Sequence, residues 1–156
     1  MSNMRLADLA AAFAAPLDPE AIGKPMAANH WELLAGFLTP TNLMEGETLF
    51  QRYRDERSLY FLESGRVTIH YENEKGTLRV ALVSSGTVFG EASFLGNMPR
   101  QASAQVATAG RAWQLSRLKF TELYQRHPSV ALDVVQLASA TLARRSRDAR
   151  RRRAIA

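Results

Sequence analysis

The apolar residues of segment 4–14, Met4, Leu6, Leu9, Ala10 and Phe13, recur at helical spacing, and Pro16 and Pro19 close the segment. After a loop to about residue 26, Trp31, Leu34, Phe37 and Leu38 approach the i, i+3, i+4, i+7 pattern of a second helix over about 28–38, ended by Pro40. The texture then changes. From Leu43 to Ser116, short apolar or alternating runs at 48–53, 58–63, 66–73, 77–83, 87–90, 101–107 and 110–116 are separated by Gly and polar residues. Ser64-Gly65, Lys75-Gly76, Ser85-Gly86 and Gly110 read as the turns between them, because Gly reaches positive φ without steric cost. The block predicts an all-β barrel or sandwich, interrupted only by a short helix around 91–95. Helical character returns over about 118–126 and, past Pro128, over about 129–150, where Ala131, Val134, Val135, Ala138 and Leu142 share one stripe. That stripe suits packing on the barrel or pairing with its copy in a second chain, and periodicity does not separate the two.

With 156 residues, 46% hydrophobic and 22% charged, the chain fits one globular domain with modest extensions. We divide it into an N-terminal helix and linker (1–27), a main domain (28–150) and a basic tail (151–156). The absence of cysteine excludes a disulfide scaffold, a thiol nucleophile and any Cys-ligated metal, and is compatible with a reducing cytoplasm, the location expected here. The formal charge of +5 is unevenly spread: residues 144–153 hold seven Arg and one Asp, net +6, which leaves −1 for residues 1–143. A near-neutral body argues against a broad DNA-binding face, whereas the tail suits nucleic acid, anionic lipid or an acidic partner. No apolar run approaches the roughly 18–20 residues of a membrane helix. The Ala/Leu-rich start is broken by Asp8, which argues against a signal peptide.

Chemistry concentrates in Gly86-Thr87-Val88-Phe89-Gly90-Glu91-Ala92-Ser93-Phe94-Leu95 and the following Pro99-Arg100-Gln101-Ala102-Ser103-Ala104. Gly90 permits close backbone approach at a strand-to-helix turn, and amides at a helix start favour an anion. Arg100 can offer that anion a bidentate fork. A carboxylate beside an anion site is repulsive unless the ligand also carries a hydroxyl, for which ionised Glu91 is a strong acceptor. A ribose phosphate meets both demands.

On these residues, together with Leu59-Tyr60-Phe61-Leu62 and Ser64-Gly65-Arg66-Val67-Thr68-Ile69, the chain resembles the cyclic-nucleotide-binding domain family over about 30–150. The resemblance implies an eight-stranded jelly-roll-like β-barrel flanked by helices, a phosphate-binding cassette between two strands, and a C-terminal helix that responds to ligand. It implies Gly90 and the Ala92 backbone as phosphate and ribose contacts, Glu91 as the 2′-hydroxyl acceptor, Arg100 as the partner of the cyclic phosphate, and Ile69, Val80 and Ala81 in the base pocket. Gln101 departs from the small or hydroxylated residue of many members and adds a base contact or crowds the site. Arg54, after Tyr53, stands where the family's turn often has Gly. In the family the last helix folds over the base, and Arg147 and Arg150 are the residues expected to cap it, since an Arg plane stacks on a base.

The expected function is a stand-alone sensor of a cyclic mononucleotide, cAMP before cGMP, with no other cofactor. It relays occupancy through its C-terminal helix to a homodimer or an unidentified effector protein. Regulators resembling this domain continue into a helix-turn-helix module. Only about six residues follow position 150, so sequence-specific DNA binding is not expected. Two other readings stand beside it: a degenerate barrel serving as an interaction module, in which Glu91 and Arg100 form only a structural ion pair, and an Arg-rich tail that tethers the protein to nucleic acid or membrane. His30, His70 and His127 lack metal-ligand spacing, and Ser93 and Ser103 lack a triad arrangement, so neither a metal site nor an enzyme is expected.

Overall fold

Residues 2–17, 25–73 and 76–155 are described by a computed structural model, with side chains over 6–17, 25–71 and 81–147. Helices α1 (Ser2–Ala14) and α2 (Ala28–Ala35) precede strands β1 (Thr39–Leu43), β2 (Thr48–Phe50), β3 (Leu59–Asn73), β4 (Gly76–Val83) and β5 (Thr87–Phe89). Helix α3 (Glu91–Gly96), strand β6 (Ser103–Leu115), and helices α4 (Arg117–Arg126) and α5 (Pro128–Ile155) complete the order. β1 at the head of the sheet was missed by the sequence reading, which began the β-block only at Leu43.

Among the described residues the sheet has six antiparallel strands ordered β1-β6-β3-β4, with β2 added on β6 and β5 on β3, and it does not close. An eight-stranded barrel is therefore corrected to an open six-stranded sheet. The physical reason lies at Ser64-Gly65 and Gly110, read above as turns. Both stand inside long continuous strands, where the β3–β6 register shifts between Leu62 and Ser64, between Ser64 and Arg66, and between Arg66 and Val67. A Cβ on Gly110 would lie 2.1 Å from the Ser64 carbonyl oxygen, so this glycine allows the two bulged strands to touch. The runs 58–63 and 66–73 are thus one strand, as are 101–107 and 110–116.

β3, β5 and β6 send alternate side chains to two cores, as a period of two requires. Leu59, Phe61, Val88, Trp113 and Leu115 join Leu9, Phe13, Trp31 and Leu34 of the N-terminal helices and Val130, Ala131, Val134 and Ala138 of α5. The stripe on α5 therefore packs on the sheet through Ala131, Val134 and Ala138, while Leu132 and Leu142 are exposed. The second, inner core lies on the face of the sheet opposite the N-terminal helices and α5 and holds Phe50, Tyr60, Leu62, Val67, Ile69, Val83, Phe89, Ala104 and Val106. Tyr60 and Phe89 stack there at 4.9 Å, and this second core forms the floor of the cassette.

Candidate functional site

Two apolar anchors fix the cassette. Phe89, at the end of β5, is sunk in the inner core, and Phe94 of α3 in the outer one. Gly90 between them turns the chain with φ 80° and ψ 16°, a left-handed conformation that a side chain disfavours. This sharp turn carries Glu91 inward, where it is 4% exposed. Arg100 is placed by backbone pairing with the loop after β2: its N–H donates to the Arg54 carbonyl, and its own carbonyl accepts from Tyr53 N–H, both at 2.8 Å. The left-handed residue of that loop is Tyr53 (φ 75°), one position before Arg54.

The Arg100 side chain is 1% exposed, and all five of its N–H groups have protein acceptors. Nη1 donates to the Gly90 carbonyl at 3.0 Å and the Ser93 hydroxyl at 2.6 Å. Nη2 donates to the Ser58 carbonyl at 2.7 Å and to Glu56 Oε2, which also accepts from Nε at 2.9 Å. The Phe50 ring covers one face of the guanidinium at 3.9 Å. Nearby, burial first and the Glu56 charge second push the Tyr60 phenol up to about 12, against a smaller opposing effect of Arg100.

Glu91 and Arg100 are not each other's partners, which corrects the structural ion pair considered above. Arg145, from α5, reaches across to Glu91 and sets Nη1 2.5 Å from each carboxylate oxygen, while Nη2 donates to the Val88 carbonyl at 3.0 Å. Glu91 is thus fixed by a cation that the sequence reading does not single out, since it names Arg147 and Arg150 for a different role, capping the base. The pointer was present: Arg145 follows Leu142 of the apolar stripe by three residues and shares its helix face.

A cavity of about 230 Å³ gathers Ile69, Gly90, Glu91, Ala92, Arg100 and Gln101, six of the eight expected ligand contacts, under Leu142 and Arg145 of α5. Ala81 pairs with Ile69 across β3 and β4 but does not line this space. The side chains of Val80 and Arg150 lie outside the described residues. Arg147 is half-buried on α5 and does not line it. Gln101 bends back to donate to the Pro99 carbonyl at 2.8 Å. Phe50 and Tyr71 complete an apolar wall that suits a flat ring, beside polar groups that suit an anion and a hydroxyl.

Among the described residues no group of three or more His, Asp or Glu could hold a metal, and no helix is long and apolar enough to cross a membrane. The family model of the cyclic nucleotide-binding domain matches residues 40–127. No curated protein matches the chain. A cyclic nucleotide-binding domain from Methylobacillus flagellatus superposes with TM-score 0.82 at 18% identity, covering 97% of this chain and 83% of its own. The catabolite activator protein of Thermus thermophilus gives 0.69 at 27% identity, over 86% of this chain and 62% of its own. The regulatory domain of Toxoplasma gondii PKA, crystallised with cAMP, gives 0.65 at 19% identity, over 76% and 44%. The chain thus spans less than two thirds of the last two structures.

Proposed function

Because this chain belongs to the cyclic nucleotide-binding domain family, we propose that it binds a cyclic mononucleotide, cAMP before cGMP, in the cavity beneath α5. The observation that carries the reading is the meeting of Arg100, Glu91, Gly90 and Ala92 in one cavity walled by Phe50, Ile69 and Tyr71. The base lies on the apolar wall with Gln101 at its edge, the ribose 2′-hydroxyl donates to Glu91, and the cyclic phosphate faces Gly90, Ala92 and Arg100. Since the five donors of Arg100 are engaged, direct contact with phosphate requires one acceptor to yield. Glu56 is the one that can, because its side chain is 36% exposed, whereas two of the others are backbone carbonyls and the third is a buried hydroxyl. One anion then replaces another on the same guanidinium.

Occupancy reaches a partner through α5, which supplies Leu142 and Arg145 to the cavity. The exposed Leu132 and Ser139, with Val135 between them at spacings of three and four, form an outer seam on that helix, away from the cavity, which supports pairing with a second copy. Cytoplasmic action suits the cysteine-free composition. Thermal unfolding with cAMP, cGMP and 5′-AMP tests ligand class directly. A ligand at about 100 times its Kd stabilises the fold by about 2.7 kcal/mol, so the cyclic nucleotides are expected to raise Tm and 5′-AMP not. Equal or absent shifts reject the reading. Light scattering of wild type and Leu132→Arg tests the seam, with a dimer expected for the first and a monomer for the second.

A further inference from the structure

The two groups that would recognise a ribose phosphate already hold internal partners of the appropriate kind, a carboxylate on Arg100 and a guanidinium on Glu91. The second partner comes from outside the segment that matches the family model, which ends at residue 127. We propose that Arg145 is a ligand-displaced latch: it holds α5 against the cassette by occupying the acceptor on Glu91, and a nucleotide binds by expelling it. The inference rests on the nucleotide reading above and adds the direction of the movement.

Three observations support it. Among the described residues, Arg145 bonds the Glu91 carboxylate and the Val88 carbonyl of β5, so the energy of these contacts depends on α5 staying docked. Among the described residues, the cation hydrogen-bonded to the nearly buried Glu91 is Arg145, held there by the docked α5. The cavity of about 230 Å³ is also smaller than the roughly 300–1,000 Å³ of sites that enclose a small ligand. Two of its walls, Leu142 and Arg145, stand one helical turn apart on α5. Withdrawing that turn enlarges the cavity and frees Glu91 together. Ligand and latch therefore compete for one carboxylate, and each is bound at the other's expense. The arginine-rich turns that follow, residues 147–153, move with the released helix.

The sign of the effect separates a latch from a lid. With full-length protein, cAMP affinity is measured by calorimetry for wild type and Arg145→Ala, and amide hydrogen exchange is followed over residues 140–155 with and without cAMP. Removing a competitor raises apparent affinity by the inverse of the competent fraction, here expected to be about tenfold or more. In wild type, cAMP should speed exchange across 140–155, and in Arg145→Ala exchange should be fast before ligand is added. Unchanged or weaker binding by Arg145→Ala, or protection of 140–155 by cAMP, overturns the latch while leaving the nucleotide reading intact. Absence of binding by both proteins overturns the nucleotide reading and the latch with it. If burying Glu91 without a cation prevents Arg145→Ala from folding, Arg145→Lys carries the same test. Lysine keeps the charge but not the fork, so tighter binding supports the latch and equal or weaker binding overturns it.

Discussion

A Cβ built on Gly90 would stand 2.5 Å from Nη1 of Arg100 and 3.0 Å from the Ser58 carbonyl oxygen that Arg100 also holds. The turn and the arginine are therefore a single fitted unit, since the guanidinium lies where any larger residue would place its side chain. Gly90→Ala adds that clash to a left-handed φ of 80°, and the mutant is expected to lose about 1–3 kcal/mol of stability. Urea unfolding measures the loss. An unchanged midpoint would mean that the cassette tolerates a displaced Arg100.

Glu56 is the sole anion on a guanidinium that is otherwise held by neutral oxygens. Glu56→Gln retains an acceptor but removes the charge, so it should lower the stability of ligand-free protein by about 1.5–3 kcal/mol, the worth of a hydrogen bond to a charged group, or less given the half-exposed carboxylate. The same change removes a competitor of the phosphate, and cAMP should bind more tightly and raise Tm by more than in wild type. A loss of binding would show instead that Glu56 orients Arg100 for the ligand.

The Tyr60 phenol titrates near 12, displaced upward chiefly by burial. An acid whose folded pKa exceeds its unfolded value of 10.0 contributes stability that is complete below pH 10 and lost as pH rises toward 12. Denaturant midpoints should therefore fall over that window, and Tyr60→Phe should flatten the fall. Phenolate absorbance appearing near pH 10 for all four tyrosines in folded protein would contradict the assignment.

Helix α2 is tied to α5 at a distance from the cassette, where His30 Nδ1 meets Asp133 Oδ2 at 2.5 Å. Both side chains are partly exposed, so His30→Ala should cost no more than about 1 kcal/mol. It should leave cAMP affinity within about twofold of wild type, because the first half of α5 is anchored mainly by Val130, Ala131, Val134 and Ala138. A large change in affinity would place the moving part of α5 nearer its start than Arg145 requires.

The helices were legible because their apolar faces and prolines are local signals: α3 was expected at 91–95 and runs Glu91–Gly96, and α5 was expected from 129 and begins at Pro128. The cassette was legible as a set, and six of its eight expected contacts share one cavity. Strand continuity was not, because a glycine that bulges a long strand has the same sequence signature as a glycine that ends one, and only the Gly110 approach to Ser64 tells them apart. Glu56 was invisible for a related reason. It sits in Arg52-Tyr53-Arg54-Asp55-Glu56-Arg57, a polar loop whose charges look alike until Arg100 is folded against one of them. Arg145 lies in the helical phase of Leu142, a signal the sequence does contain, whereas capping of a base by Arg147 or Arg150 depends on a register that the sequence alone does not set.

The most direct test of nucleotide recognition is calorimetric titration of cAMP and cGMP into wild-type protein and Arg100→Ala, each freed of any co-purified ligand by unfolding and refolding. Wild type should bind cAMP at micromolar concentration or below, more tightly than cGMP. Arg100→Ala should bind it roughly 10- to 150-fold more weakly, the equivalent of the 1.5–3 kcal/mol of one charge-assisted hydrogen bond. Heat from neither nucleotide, with no rise in Tm, would contradict the account and leave the domain as an interaction module whose Arg100 and Glu91 serve only Glu56 and Arg145.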